Sequence, residues 1–162
     1  MPHHNATPQR IEALQMLHAQ AAELGQQIAL TLKQIKGQHE EAMKKHESLL
    51  SYTQQYQQHL QALEAQGGDW SKVRDLRAFI ARVGAALAAQ QAEINRLQDM
   101  HAEQRQAWTS ARQREKAYEL LLAQQHVFVK AREQKQAQHE MQEWALSPQS
   151  QFSTTTQQPT RF

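Results

Sequence analysis

The chain of 162 residues sets 18 lysines and arginines against 16 acids, a net charge of +2, and contains no cysteine. Twenty-nine residues are glutamine, and the four prolines stand at Pro2, Pro8, Pro148 and Pro159, so Gln9 to Ser147 has no proline to break a helix. Aromatics at 6% and scattered β-branched residues exclude a β-sandwich, a barrel and an α/β enzyme fold, and the small basic excess falls short of a dedicated nucleic-acid binder.

Residues 1–8 read as a disordered N-terminus closing on Thr7-Pro8, a cap followed by a first helical position. A first helix is predicted over 9–66. Steps of seven from Leu14 reach Ala21, Ile28, Ile35, Ala42, Leu49, Tyr56 and Leu63 without meeting a polar residue. The companion series is expected at Leu17 and Leu24, slipping by one residue to Leu32 and returning at Tyr52 and Leu60. A seven-residue repeat sustained this far is a coiled-coil seam, and the slip predicts imperfect supercoiling.

Gln66-Gly67-Gly68-Asp69-Trp70-Ser71 interrupts the pattern, with a bend over 67–70 in which glycine ends one helix and Asp69 or Ser71 caps the next. The second helix is predicted over 71–146. Its seam runs through Val73, Ile80, Leu87, Ile94, His101 and Trp108, with Leu76, Val83, Gln90, Leu97, Gln104 and Ala111 between them. The seam is polar at His101 and Gln104 and resumes with Trp108, Tyr118, Leu122 and Val129. At about 1.5 Å per residue the helices would be roughly 87 and 114 Å long, which sets residue 9 near residue 128 and leaves about 18 residues overhanging. Residues 147–162, almost without apolar content, are expected to be disordered.

The predicted fold is therefore all-α, a long antiparallel two-helix coiled-coil hairpin over 9–146 with disordered termini. A self-sufficient hairpin is expected to be monomeric, whereas an open helix would pair with a second chain as a generic coiled-coil scaffold. The most apolar window, Ala78–Ala89, is 12 residues long and contains Arg82, too short for the roughly 20 apolar residues of a membrane span. No secretion signal is read at the N-terminus, and the lack of cysteine is compatible with a cytoplasmic chain.

Chemistry has little footing. His39-Glu40 starts the spacing of a zinc-protease motif, but Met43 occupies the place of the second histidine, and His39 and His46 lie two turns apart. The chain has three aspartates, Asp69, Asp75 and Asp99, and lacks a phosphate-binding glycine loop and a nucleophile elbow. Neither enzyme activity nor a cofactor nor a metal is expected. The bases Arg105, Arg112, Arg114, Lys116, Lys130, Arg132 and Lys135 are interleaved with Glu103, Glu115, Glu119 and Glu133, the pattern of a solvated helical face and not of a nucleic-acid surface. Near the bend, Leu49, Tyr52 and Tyr56 share one stripe and Phe79, Val83, Ala86 and Gln90 another. Two helices share one seam, so bulky residues just off it are left half exposed for a partner.

At these residues the sequence resembles the FliJ family of flagellar type III export proteins. The resemblance lies in Leu49-x-x-Tyr52-x-x-x-Tyr56, a glycine-containing bend, Phe79-Ile80 followed by Ala86 and Gln90-Gln91, and Trp108 with Arg112 and Lys116. It continues with Glu119-Leu120-Leu121 and Arg132-Glu133-Gln134-Lys135-x-x-x-x-Glu140, and covers roughly residues 10–145. The chain departs from the family at His139-Glu140, where Asp-Glu is usual, at Lys45 in a glutamine-like position, at Val83 for leucine, and at Gln90 where histidine occurs. The stalk proteins of injectisome-type secretion, the YscO class, share the hairpin.

The resemblance implies a central-stalk component that inserts its terminal ends into a FliI-like export ATPase ring and promotes hexamer assembly. It further implies contact with the cytoplasmic domain of a FlhA-like export gate, and binding of export chaperones. The gate contact would comprise Lys45, Leu49, Tyr52, Tyr56, Phe79, Val83, Ala86 and Gln90, and the ATPase contact Arg10, Lys130, Arg132, Lys135, Met141 and Trp144. The protein would then be cytoplasmic and peripheral at the inner face of the cell membrane, held there by the export apparatus.

Overall fold

The structure, a computed structural model, describes residues 8–148. Residues 1–7 and 149–162, on which most of the expected terminal disorder and the Thr7 cap fall, lie outside the described residues. Two helices, α1 (Pro8–Ala65) and α2 (Trp70–Leu146), account for nearly all of the described chain, with no strand among the described residues. The protein is an all-α helical hairpin.

The bend follows from its glycines. Gly67 takes a φ of 63°, a left-handed conformation that costs a residue with a Cβ about 1–2 kcal/mol. The Gly68 N–H donates to Leu63 O and the Gly67 N–H to Glu64 O, both at 3.4 Å, which is the paired closure of a Schellman ending. α2 then starts on Asp69, whose Oδ1 accepts from the Ser71 N–H at 3.0 Å and whose carbonyl accepts from Val73 N–H at 3.2 Å. Across the bend, the Arg77 guanidinium meets Glu64 at 2.5 Å.

The chain divides into two units, Ala21–Gln113 around the bend and the two chain ends up to Gln20 and from Arg114. In the bend unit, Ile35, Ala42, Ile94 and Leu97 form one buried cluster with Met100 against it. Leu97 is only 1% exposed, so its burial contributes about 1.5–3 kcal/mol. Val73 and Ala111 are also buried in this unit. In the terminal unit the covered residues are Ile11, Leu14 and His18 on α1, and Glu115, Tyr118, Leu122, Gln125 and Val129 on α2. Gln125 is fully buried there, and its Oε1 has no partner.

Burial corrects the expected companion seam. The covered positions of α1 fall at Ile11, Leu14, His18, Ala21, Gly25 and Ile28 and continue in unbroken alternating steps of three and four to Leu60 and Leu63. The companion series is therefore Ile11, His18, Gly25, Leu32, His39, His46, Thr53 and Leu60, while Leu17, Leu24 and Tyr52 are exposed. The repeat does not slip. Small and polar side chains hold the companion positions because a seam position is set by its angle on the helix, whatever residue occupies it. We label this series a and the Leu14 series d; in α2, Val73 opens the a series and Leu76 the d series. Trp108 holds an a position but is exposed, with the Arg112 guanidinium 5.9 Å from its ring centroid.

Candidate partner-binding surfaces

The eight residues of the expected gate contact occupy two heptad positions. Leu49 and Tyr56 are at d and Lys45 and Tyr52 at g of α1, while Val83 and Gln90 are at d and Phe79 and Ala86 at g of α2. In an antiparallel pair the g positions of both helices border the same edge. The bend unit shows that edge directly, as one groove lined by Tyr56, His59, Leu63, Lys72, Leu76 and Phe79 and another lined by Gln38, Lys45, Gln90 and Glu93.

The edge is built in two layers. Leu49, Tyr56, Val83 and Gln90 are half-buried in the seam. The Gln90 Nε2 donates to the Ala42 carbonyl at 3.0 Å, tying α2 to the backbone of α1. Phe79, also half-buried, meets Tyr56 edge to face with ring centroids 4.7 Å apart, an arrangement that adds about 0.5–1.5 kcal/mol to area burial. Lys45, Tyr52 and Ala86 are exposed, Tyr52 by 54%. A partner on this edge meets the outer residues directly and the inner ones only through the rims they leave open.

Three neighbours escaped the sequence reading. The Arg82 guanidinium lies 5.9 Å from the Phe79 ring centroid, and His59 and Lys72 line the groove beside it. Both His59 and Lys72 are g residues, so a corrected heptad would have found them. Farther along α2, Glu93 accepts from Arg96 Nε at 2.8 Å and Nη2 at 2.7 Å. That hydrogen-bonded pairing holds the Glu93 carboxyl below its ordinary range and raises the Arg96 guanidinium.

In the terminal unit, Arg10, Lys130, Arg132, Lys135, Met141 and Trp144 are all exposed. Of these, Arg132 lines a groove that brings Pro8, Ile11, Glu12 and Gln15 of α1 against Val129, Glu133 and Gln136 of α2. Gln136 lines this groove with the first turn of α1, but Val129 is the last covered residue of α2, and residues 130–146 are exposed. Val129, expected to overhang, is half-buried, whereas Met141 and Trp144 are each 73% exposed. Within α2, Lys116 pairs with Glu119 at 3.2 Å, and His139 Nδ1 lies 3.4 Å from Glu143 Oε1.

Among the described residues no three His, Cys, Asp or Glu side chains come together as metal ligands, and no helix is long and apolar enough to cross a membrane. The surfaces present long helical edges with apolar centres and charged borders, suited to protein contacts. Comparison with curated proteins and with solved structures gave no match. The family model described as "Flagellar FliJ protein" matches residues 9–150, most of the chain, and of the flagellar and injectisome systems weighed from the sequence the match is to the flagellar one. The chain thus belongs to the FliJ family of flagellar export proteins.

Proposed function

We propose that this protein is the central stalk of the flagellar export machine, with its two units serving different partners. The g edge of the bend unit contacts the cytoplasmic domain of the export gate through Tyr52, Lys45 and Ala86 on the surface and Phe79 with Tyr56 behind them. The terminal unit enters the ring of the export ATPase and promotes hexamer assembly, using Arg10, Lys130, Arg132, Lys135, Met141 and Trp144. Export chaperones are further partners, and the protein works in the cytoplasm, at the inner face of the membrane where the gate sits.

The observation that carries the reading is the gathering of all eight gate residues onto the d and g positions of one edge, with the bulkiest exposed one, Tyr52, unused by the fold. The exposure of Met141 and Trp144 beyond the first turn of α1 is consistent with insertion into a pore lined by other chains. Mixed charges around them suit a surface on which rim contacts tune specificity more than affinity.

Two binding measurements test it. Tyr52→Ala is expected to weaken capture of the gate domain with helicity unchanged. Ending the chain after residue 128 is expected to abolish stimulation of ATPase assembly and to spare gate binding. Full stimulation by the shortened protein would remove the ring assignment, and unchanged gate capture by Tyr52→Ala would remove the gate assignment.

A further inference from the structure

The back of α2 in the terminal unit carries an apolar stripe that the seam does not use. Positions c and f of a seam helix face away from its partner. Here the f positions hold Leu120, Val127, Gln134 and Met141, and the c positions hold alanine apart from Gln124. Leu121 and Phe128 stand beside them at g. Leu120 and Val127 are 61% and 67% exposed, and Leu121 and Phe128 are open as well. In the bend unit the same two positions of α2 carry only small, polar or charged residues, Asp75, Asp99 and Glu103 among them. The large apolar side chains therefore belong to this stretch and not to the heptad as such.

The charges are sorted around the same axis. Bases and acids alternate along the chain, yet on the helix they separate. From Arg114 onward the two borders of the stripe hold Lys116 and Lys130 at b on one side and Arg114 and Lys135 at g on the other. All four are exposed, and Lys116 shares a solvent-exposed ion pair with Glu119. The acids of this stretch, Glu115, Glu119, Glu133, Glu140 and Glu143, all fall at a and e, on the seam side. The outward half of the helix is thus basic at both borders, without an acid on it.

That distribution selects an anionic bilayer surface. An interfacial helix presents one convex apolar face, with long bases along its margins whose stems reach past the apolar side chains to the lipid phosphates. Acids on the opposite side stay in water. Apolar burial and attraction to anionic headgroups then act together. A protein helix docks in the groove between two helices, whereas this face is the ridge of one helix with no wall from α1. A second copy of the chain would set bases against the same bases.

We propose that the outward face of α2 from Arg114 to Trp144 lies on a bilayer rich in anionic lipid, with Leu120, Leu121, Val127 and Phe128 below the headgroups and Arg114, Lys116, Lys130 and Lys135 on their phosphates. The proposal goes beyond the stalk reading and does not depend on it. In that reading the export apparatus holds the protein at the membrane, whereas here the chain touches lipid itself. Because Lys130 and Lys135 also belong to the proposed ring contact, the helix lies on the membrane only while it is outside the ring.

The test is sedimentation of the full chain with vesicles of phosphatidylcholine alone and of phosphatidylcholine with phosphatidylglycerol. Binding is expected to the mixed vesicles only, and to fall as salt rises. Leu120→Gln with Val127→Gln is expected to weaken it at least about tenfold, while circular dichroism shows the hairpin intact, since both side chains are exposed. Arg114→Gln with Lys130→Gln is also expected to weaken it at least about tenfold. Lys33→Gln with Lys44→Gln removes the same charge from exposed positions of the bend unit and is expected to leave binding nearly unchanged. Equal binding to the two kinds of vesicle, binding to neither, undiminished binding by the apolar double variant, or equal losses in the two charge variants overturns the proposal. So does capture of a soluble amphipathic peptide with glutamate borders, lost in the apolar double variant, while the mixed vesicles stay unbound.

Discussion

The bend unit and the terminal unit use the same heptad to different ends. In the bend unit the seam closes over Ile35, Ala42, Ile94 and Leu97, while Leu30, Tyr52 and Trp70 stay exposed. In the terminal unit the fully buried side chain is Gln125, whose Oε1 is without a partner as His39 Nε2 is in the bend unit, and Leu120, Val127, Met141 and Trp144 stay in solvent. Apolar side chains placed outside a seam contribute nothing to the hairpin, and an unsatisfied buried amide costs about 1–3 kcal/mol. The difference teaches that the bend unit has a buried apolar core of its own, while the one fully buried side chain described in the terminal unit is polar, and both units leave apolar side chains outside the seam.

The contrast is broken most severely by function. Loss of all residues after 128 is expected to eliminate ATPase stimulation, measured as hexamer formation, while the bend unit keeps its gate affinity. In stability, Leu97→Ala is expected to cost about 2–5 kcal/mol in urea unfolding, because it empties a fully buried site. Leu120→Ala in the terminal unit is expected to change stability by less than about 0.5 kcal/mol. Equal losses at the two positions would dissolve the distinction between the units.

Within the bend unit, the gate edge divides by depth. Tyr56→Ala removes a half-buried ring and its contact with Phe79, so about 2 kcal/mol of stability should be lost along with binding. Tyr52→Ala should lose binding alone, with melting temperature unchanged. If both variants melt early, Tyr52 supports the fold in a way its exposure conceals.

Smaller effects sharpen the account of the helix geometry. Gly67→Ala is expected to cost about 1–2 kcal/mol, since its φ of 63° is strained for any residue with a Cβ. At Gly25 a Cβ would lie 3.9 Å from Arg112 Cδ, ordinary contact, so Gly25→Ala should stabilise by about 0.5–1 kcal/mol. Thermal unfolding of the two variants gives opposite signs if the bend needs its glycine and the helix does not.

The least effect expected is electrostatic. Glu93 has its pKa lowered from the ordinary 4.5 by the hydrogen bond to Arg96. A depressed carboxylate stabilises the fold above its unfolded pKa and loses that contribution as pH falls through the folded one. Unfolding curves of the wild-type protein and Glu93→Gln should differ slightly at neutral pH and converge as pH drops below about 4.5. The pair is open to solvent, so added salt should shrink the difference.

The sequence by itself determined the helices, the bend and one half of the seam. Freedom from proline, the run of d residues from Leu14 to Leu63 and the adjacent glycines act through neighbours in the chain, so they can be read without a fold. The companion series could not be read that way. Leucine at 17 and 24 outbids histidine at 18 and glycine at 25 in any hydrophobicity count, yet the angle around α1 at which α2 lies covers the histidine and glycine and leaves the leucines open. The same angle decided that Tyr56 is inward and Tyr52 outward, though both are tyrosines in one stripe. It also drew Val129 into the seam and left Leu120 and Val127 exposed. Residue type and spacing fix where a helix can bury a face; the position of the second helix fixes which face is buried, and so which side chains remain for partners.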